Sequence, residues 1–185
     1  MWAKPFFSDA RRALEQPAAE EGAGFDSRAL DLAVELTGGY PYFLQELGYG
    51  VWDLADGPTI TVEDVRASEP LYQAKLDASF FRVRLDRTTE MERVYLRAMA
   101  ELGPDPQKAA DVAQVMSRES TQVAPIRAKL ISMGLLYTPS GYAAFTVPHF
   151  DRFMHRAVPE LIVPEVKRRR RRKPGMGDDA RERPQ

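Results

Sequence analysis

The 185-residue chain is 44% hydrophobic and 29% charged, enough for one medium domain or two small ones with real cores. It has no cysteine, which excludes disulfides and thiolate metal sites. With no N-terminal h-region and no apolar run approaching about 18 residues, nothing marks secretion or a membrane span, and the expectation is a cytoplasmic protein with no membrane partner. The net charge of −1 hides an asymmetry: residues 165–185 carry nine Lys and Arg against four Asp and Glu, leaving residues 1–164 at −6. That balance argues against a broadly basic nucleic-acid surface.

Residues 8 to about 86 read as helices with short connections. Ala29, Leu32, Ala33 and Leu36 have the spacing of one buried helical face, which Asp26 or Ser27 can cap and Gly38-Gly39 can stop. Pro41 suits the first turn of a new helix, whose apolar stripe is Phe43, Leu47, Val51 and Leu54. Gly48 and Gly50 fall inside this helix, where they permit close packing or end it early. Thr61 and Asp64 form a capping-box pattern opening a helix that Pro70 is expected to interrupt, with Leu76, Phe80 and Val83 resuming the period.

A second unit opens at Thr89-Glu90-Met91-Glu92, again a capping box, and its helix stops at Gly103-Pro104. A short helix follows with Ala109, Val112, Ala113 and Val115 on its apolar side. The stretch from Glu119 to Met133 then places Val123, Ile126, Leu130 and Met133 on one face before Gly134. Leu135 to Tyr137 and Tyr142 to Val147 read as strands around a Thr138-Pro139-Ser140-Gly141 turn, and Phe150, Phe153 and Met154 line a closing helix. Three helices and a hairpin give the winged-helix order. The predicted fold is therefore mainly α, with a helical lid-like domain over 1–86, a winged-helix domain over 87–160 and a basic disordered tail over 161–185.

The segment Gly39-Tyr40-Pro41, followed by Tyr42-Phe43-Leu44-Gln45, resembles the Gly-x-Pro signature in the helical lid of AAA+ and STAND-type ATPases, relatives of origin-recognition ATPases. Phe7-Ser8-Asp9-Ala10, Ala13-Leu14 and Pro17-Ala18 are similar to the segment leading from the nucleotide-binding core into that lid, so the likeness spans most of residues 5 to 156. It implies that Gly39, Tyr40 and Pro41 form an ATP-facing corner, with ATP and magnesium as cofactors of a full-length parent. The chain departs from the family in two ways. Tyr40 and Tyr42 stand where many lids place a γ-phosphate-sensing arginine. No G-x-x-x-x-G-K-[ST] loop occurs, nor any hydrophobic strand ending in paired acids, so this chain alone is not expected to bind or hydrolyse ATP. The core is expected on another chain or on lost upstream sequence, from a split or truncated gene; otherwise lid and winged helix persist as an independent protein.

In the winged-helix reading, the helix from Glu119 is the recognition helix, and Arg118, Ser120, Gln122, Arg127 and Lys129 are its candidate DNA contacts. A solvated or protein-docking face is the competing reading, because the set is sparsely basic and Glu119 opposes it. The run Lys167, Arg168, Arg169, Arg170, Arg171, Arg172 and Lys173 offers a salt-sensitive, sequence-independent grip on phosphates, or serves only as a solubilising tail. His149 and His155 are six residues apart, on opposite sides of a helix, and no matched ligand set accompanies them. Capping or surface roles follow. No catalytic or metal-ligating residue is assigned: Ser120 and Ser140 lack a nucleophile context, and Glu20, Glu21, Glu35 and Glu46 read as helix-face charges. Tyr40, Tyr42, Phe43, Trp52, Phe80 and Phe81 read as core, with Tyr40 and Tyr42 available to stack on an adenine.

These features make the leading expectation the C-terminal regulatory portion of an ATPase, coupling nucleotide state to DNA or protein binding. The alternative is a free-standing winged-helix DNA-binding regulator without nucleotide dependence. A third reading, the remnant of a broken gene, predicts exposed apolar surface where a missing core would have packed.

Overall fold

The computed structural model describes residues 4–165 and is mainly α-helical. Helix α1 (Lys4–Glu20) buries Ala10, Leu14 and Ala18, one per turn. A two-residue strand β1 (Gly24–Phe25) pairs in parallel with β2 (Thr59–Ile60), and α2 (Ser27–Thr37) starts at Asp26, whose carboxylate accepts the Arg28 N–H at 3.0 Å. The stop of α2 is built from the paired glycines. Gly38 is left-handed at φ 58°, and the N–H groups of Gly38 and Gly39 donate to the carbonyls of Glu35 and Val34, each at 3.2 Å. This is the two-bond Schellman closure that satisfies the last carbonyls of a helix. Pro41 then opens α3 (Pro41–Leu54) at its first position.

Several expected faces are rotated or narrowed. In α2 the buried set is Ala29, Leu30, Ala33, Val34 and Thr37, while Leu32 and Leu36 are half-buried. The helix packs against α1, α3 and α4, so its apolar face is wider than a single-stripe reading selects. In α3, Phe43, Leu47 and Val51 are buried as expected, but Leu54 and Trp52 are exposed. Gly48 gives α1 close approach: a Cβ there would lie 3.3 Å from the Leu14 Cδ2.

Helix α4 (Val62–Lys75) begins with the reciprocal Thr61–Asp64 capping box. Pro70 does not interrupt it but lies exposed within it. The break comes instead at Leu76–Phe81, a π-helical segment continuing into α5 (Arg82–Leu85). The wider turn shifts the helical phase, so Phe80, Phe81 and Leu85 point inward while Val83 is 57% exposed.

The following elements are α6 (Glu90–Glu101), α7 (Ala109–Val115), α8 (Ser120–Ser132), the antiparallel pair β3 (Leu136–Tyr137) and β4 (Ala144–Phe145), and α9 (Phe150–Ala157). Thr89 and Glu92 cap α6 reciprocally, and its Val94–Ala100 stretch is buried on every side, with α7, α8 and α9 around it. The strands are shorter than predicted. A 3-10 turn, Pro139–Gly141, with Ser140 at φ 50° takes up the centre of the hairpin. Gln107 adds a bridge to Ala143, with both backbone bonds at 2.7 Å.

Phe81 joins the two halves: its ring stacks on Phe153 at 5.1 Å and meets Phe150 edge-on at 5.7 Å. Beside it Arg156 donates twice to the Asp77 carboxylate, both bonds at 2.7 Å. Apolar burial is continuous from Ala10 to Met154.

Candidate functional site

The Gly39–Pro41 corner forms one lip of a groove of about 570 Å³ between α1 and α3. Ala13, Leu14, Pro17 and Ala18 line it from α1, and Leu44, Gly48, Tyr49 and Trp52 from α3, with Phe25 and Ile60 closing the end. Small side chains on α1 and Gly48 on α3 leave the hollow, and the next turns of α3 put large rings at its rim. Tyr49 is 68% and Trp52 46% exposed, on the side of α3 away from its buried Phe43, Leu47 and Val51. Contiguous exposed apolar surface of this kind marks an interaction site.

The charged side chains lining the groove are Asp9 and Glu21, both acidic. Triphosphate oxygens find no cation among these lining residues and meet two carboxylates, so the groove does not fit the phosphates of ATP. Tyr40 and Tyr42 do not line it either. Tyr40 packs on Phe43 at 4.8 Å, and Tyr42 stacks on Phe80 at 5.2 Å with the rings 18° apart. Arg84 covers the same Phe80 ring at 3.6 Å and donates to its carbonyl at 2.7 Å. The exposed rings that line the groove are Tyr49 and Trp52. Their sequence signal was the i, i+3 spacing on a helix whose inner face was already filled by Phe43, Leu47 and Val51.

The residues named on α8 are largely engaged within the molecule. Arg118 is half-buried and its Nη2 donates to the Pro164 carbonyl. Arg127 is half-buried and donates to the Gly141 carbonyl at 2.9 Å, bracing the hairpin turn. The Gln122 side-chain oxygen accepts the Glu119 N–H at 2.9 Å, and the Gln122 N–H donates to the Glu119 backbone carbonyl at 2.9 Å. Both arginines were expected at the surface; carbonyls distant in sequence draw them in. Ser120 and Lys129 are exposed. The run Lys167–Lys173 lies outside the described residues.

His149 is left-handed at φ 62° at the start of α9, with Pro148 against Gly38. Its buried Nε2 faces a small crevice between the two halves, bordered by Leu36, Glu69, Tyr72, Asp77, Arg152 and Arg156. Burial first, then the Arg152 charge, pushes this imidazole below its ordinary value, with Asp151 pulling weakly the other way. His155 is exposed and its Nε2 lies 3.1 Å from the Ala100 carbonyl. Among the described residues no group of three His, Cys, Asp or Glu side chains could hold a metal, and no helix is long and apolar enough to cross a membrane.

A family model described as a domain of unknown function (DUF8462) matches residues 78–154, from the π-helical segment through most of α9. No curated protein matches the chain.

Proposed function

We propose that this chain is the C-terminal regulatory portion, a helical lid followed by a winged helix, of an ATP-binding ATPase of the AAA+/STAND type. Its task is to couple the nucleotide state of a P-loop core, carried on other sequence, to DNA or protein binding. The observation that carries this reading is the apolar groove at the Gly39–Pro41 corner, with Tyr49 and Trp52 exposed on its rim. The corner resembles a lid signature, and the groove is the kind of surface a packed core covers. The order of α6, α7, α8, the β3–β4 hairpin and α9 supports the winged helix. Since the groove does not fit phosphates, ATP with its magnesium is assigned to the core, and hydrolysis is not assigned to this chain.

The test begins at the gene: a P-loop core is sought in frame upstream or in the adjacent gene, and co-expressed with residues 1–185. Tyr49→Ser with Trp52→Ser is expected to weaken assembly at least about tenfold, while the unfolding free energy from urea titration changes by less than about 0.5 kcal/mol, as for surface sites. No such core at the locus, or full-strength assembly with both rings removed, sinks the reading. The alternative, a free-standing DNA-binding regulator, predicts sequence-selective duplex binding by this chain without nucleotide. The internal pairing of Arg118, Gln122 and Arg127 weighs against it.

A further inference from the structure

We infer that the groove between α1 and α3 seats one amphipathic helix of a partner, with an apolar stripe about three turns long and a Lys or Arg beyond each end of it. This deepens the reading of the groove as an assembly surface, on which it rests, by giving the covering segment a shape and a charge. The wall on α1 is a single row of every fourth residue, Asp9, Ala13, Pro17 and Glu21. Rows of this spacing are the ridges along which helices pack. The two middle members are compact and exposed, so a second helix can come close. The two ends are carboxylates, roughly 18 Å apart by the helical rise. The Glu21 N–H donates to the Pro17 carbonyl at 3.4 Å, which carries the helical path through to that last residue.

Facing this row, Gly48 on α3 leaves the floor open, and Tyr49 and Trp52 stand at the rim. Both walls are helices whose backbone groups bond internally, so they offer side-chain ridges but no ladder to an extended strand. An occupant must therefore satisfy its own backbone, as a helix does. Pro17 opens one exception: it has no N–H, so the Ala13 carbonyl lacks the amide partner that position 17 would supply, and a donor on the occupant can take that place. Charge sets the ends. Among the described residues no Lys or Arg lines the groove. Arg12 lies 3.9 Å from Asp9 without lining it, in an exposed pair of little strength. At the other end the last turn of α1 holds no basic residue, so the helix dipole adds to the Glu21 carboxylate. An acidic or neutral flank on the partner would leave both carboxylates unanswered.

The test uses the full chain and three fluorescent peptides of about 20 residues: a helix with one leucine stripe flanked by Lys at both ends, the same helix flanked by Glu, and the Lys form broken by a central Pro. At about 20 mM salt the Lys-flanked helix should bind at least about tenfold more tightly than either of the others, its lead over the Glu form shrinking as salt rises. Asp9→Lys with Glu21→Lys, both at exposed positions, should invert the preference between the two flanks while circular dichroism and the urea midpoint stay as in the parent. No binding of the Lys form, equal binding of all three peptides, or a preference that the double charge change does not invert overturns the proposal. The ATPase reading fails separately. If the peptides behave as expected but the locus holds no P-loop core, the helix site stands without it. If a core assembles through Tyr49 and Trp52 with no response to the changes at Asp9 and Glu21, that reading stands and the basic flanks are overturned.

Discussion

The two halves of the molecule treat their outward surfaces in opposite ways. Around α1 and α3, large rings are left in water over a hollow whose charged residues are both acidic, as with Tyr49, Trp52 and the Gly39–Pro41 lip. Around α8, polar side chains that could reach outward are turned back onto the chain: Arg118 to Pro164, Arg127 to Gly141, Gln122 to Glu119. The first half leaves apolar rings and a hollow open to solvent. The second turns its candidate polar contacts back onto its own backbone. Residue type alone would have assigned the roles the other way, with arginines as contacts and tryptophan as core.

This contrast holds only if the halves form one cooperative body, and the harshest test is Phe81→Ala. Its ring contacts Phe43, Phe80, Phe150 and Phe153, so both halves lose packing at once. The expected loss is about 3–5 kcal/mol. In urea it should appear equally in tryptophan fluorescence, which reports the first half, and in hydrogen exchange of the α6 amides. Two separate transitions would show that the halves are independent and that their surfaces should be considered separately.

A smaller effect is expected at the contact between the α2 stop and α9. Gly38 is left-handed, and a Cβ there would lie 3.0 Å from the Pro148 Cβ. Gly38→Ala should cost about 1–2 kcal/mol in thermal unfolding, combining backbone strain with displacement of Pro148. A neutral result would mean that this seam is loose.

The smallest effect is a pH dependence. The folded protein favours neutral His149, because burial and Arg152 lower its pKa. A lowered histidine pKa means that the unfolded chain binds more protons as pH falls. Its contribution is fully present above the ordinary value near 6.5 and is lost as pH drops through the lower folded value. His149→Gln should flatten urea midpoints between pH 7 and about 5 relative to the parent. An unchanged slope would place the titrating group elsewhere.

Much of the helical framework was legible in local chemistry. The Thr61–Asp64 and Thr89–Glu92 boxes, the Gly38-Gly39 stop and Pro41 at the next start each act within a few residues, and each appears where the pattern placed it. The failures were non-local. Leu30 and Val34 displaced Leu32 and Leu36 because α2 packs against three neighbours, and Val83 fell outside because the π-helical turn changed the phase before it. Arg97 and Arg118 found carbonyls far along the chain, which spacing does not encode. The glycine–proline corner was visible, but the groove it borders depends on two helices meeting at Gly48.

The segment Leu76–Phe81 carries a consequence for how the halves are oriented. Each residue of an α-helix advances the azimuth by about 100°, so one residue more or fewer between α4 and α5 rotates everything downstream by that amount. The π-helical stretch absorbs such an extra residue without breaking the rod. A single residue therefore sets which side of the axis presents Phe81 to α9, and with it the heading of the whole second half.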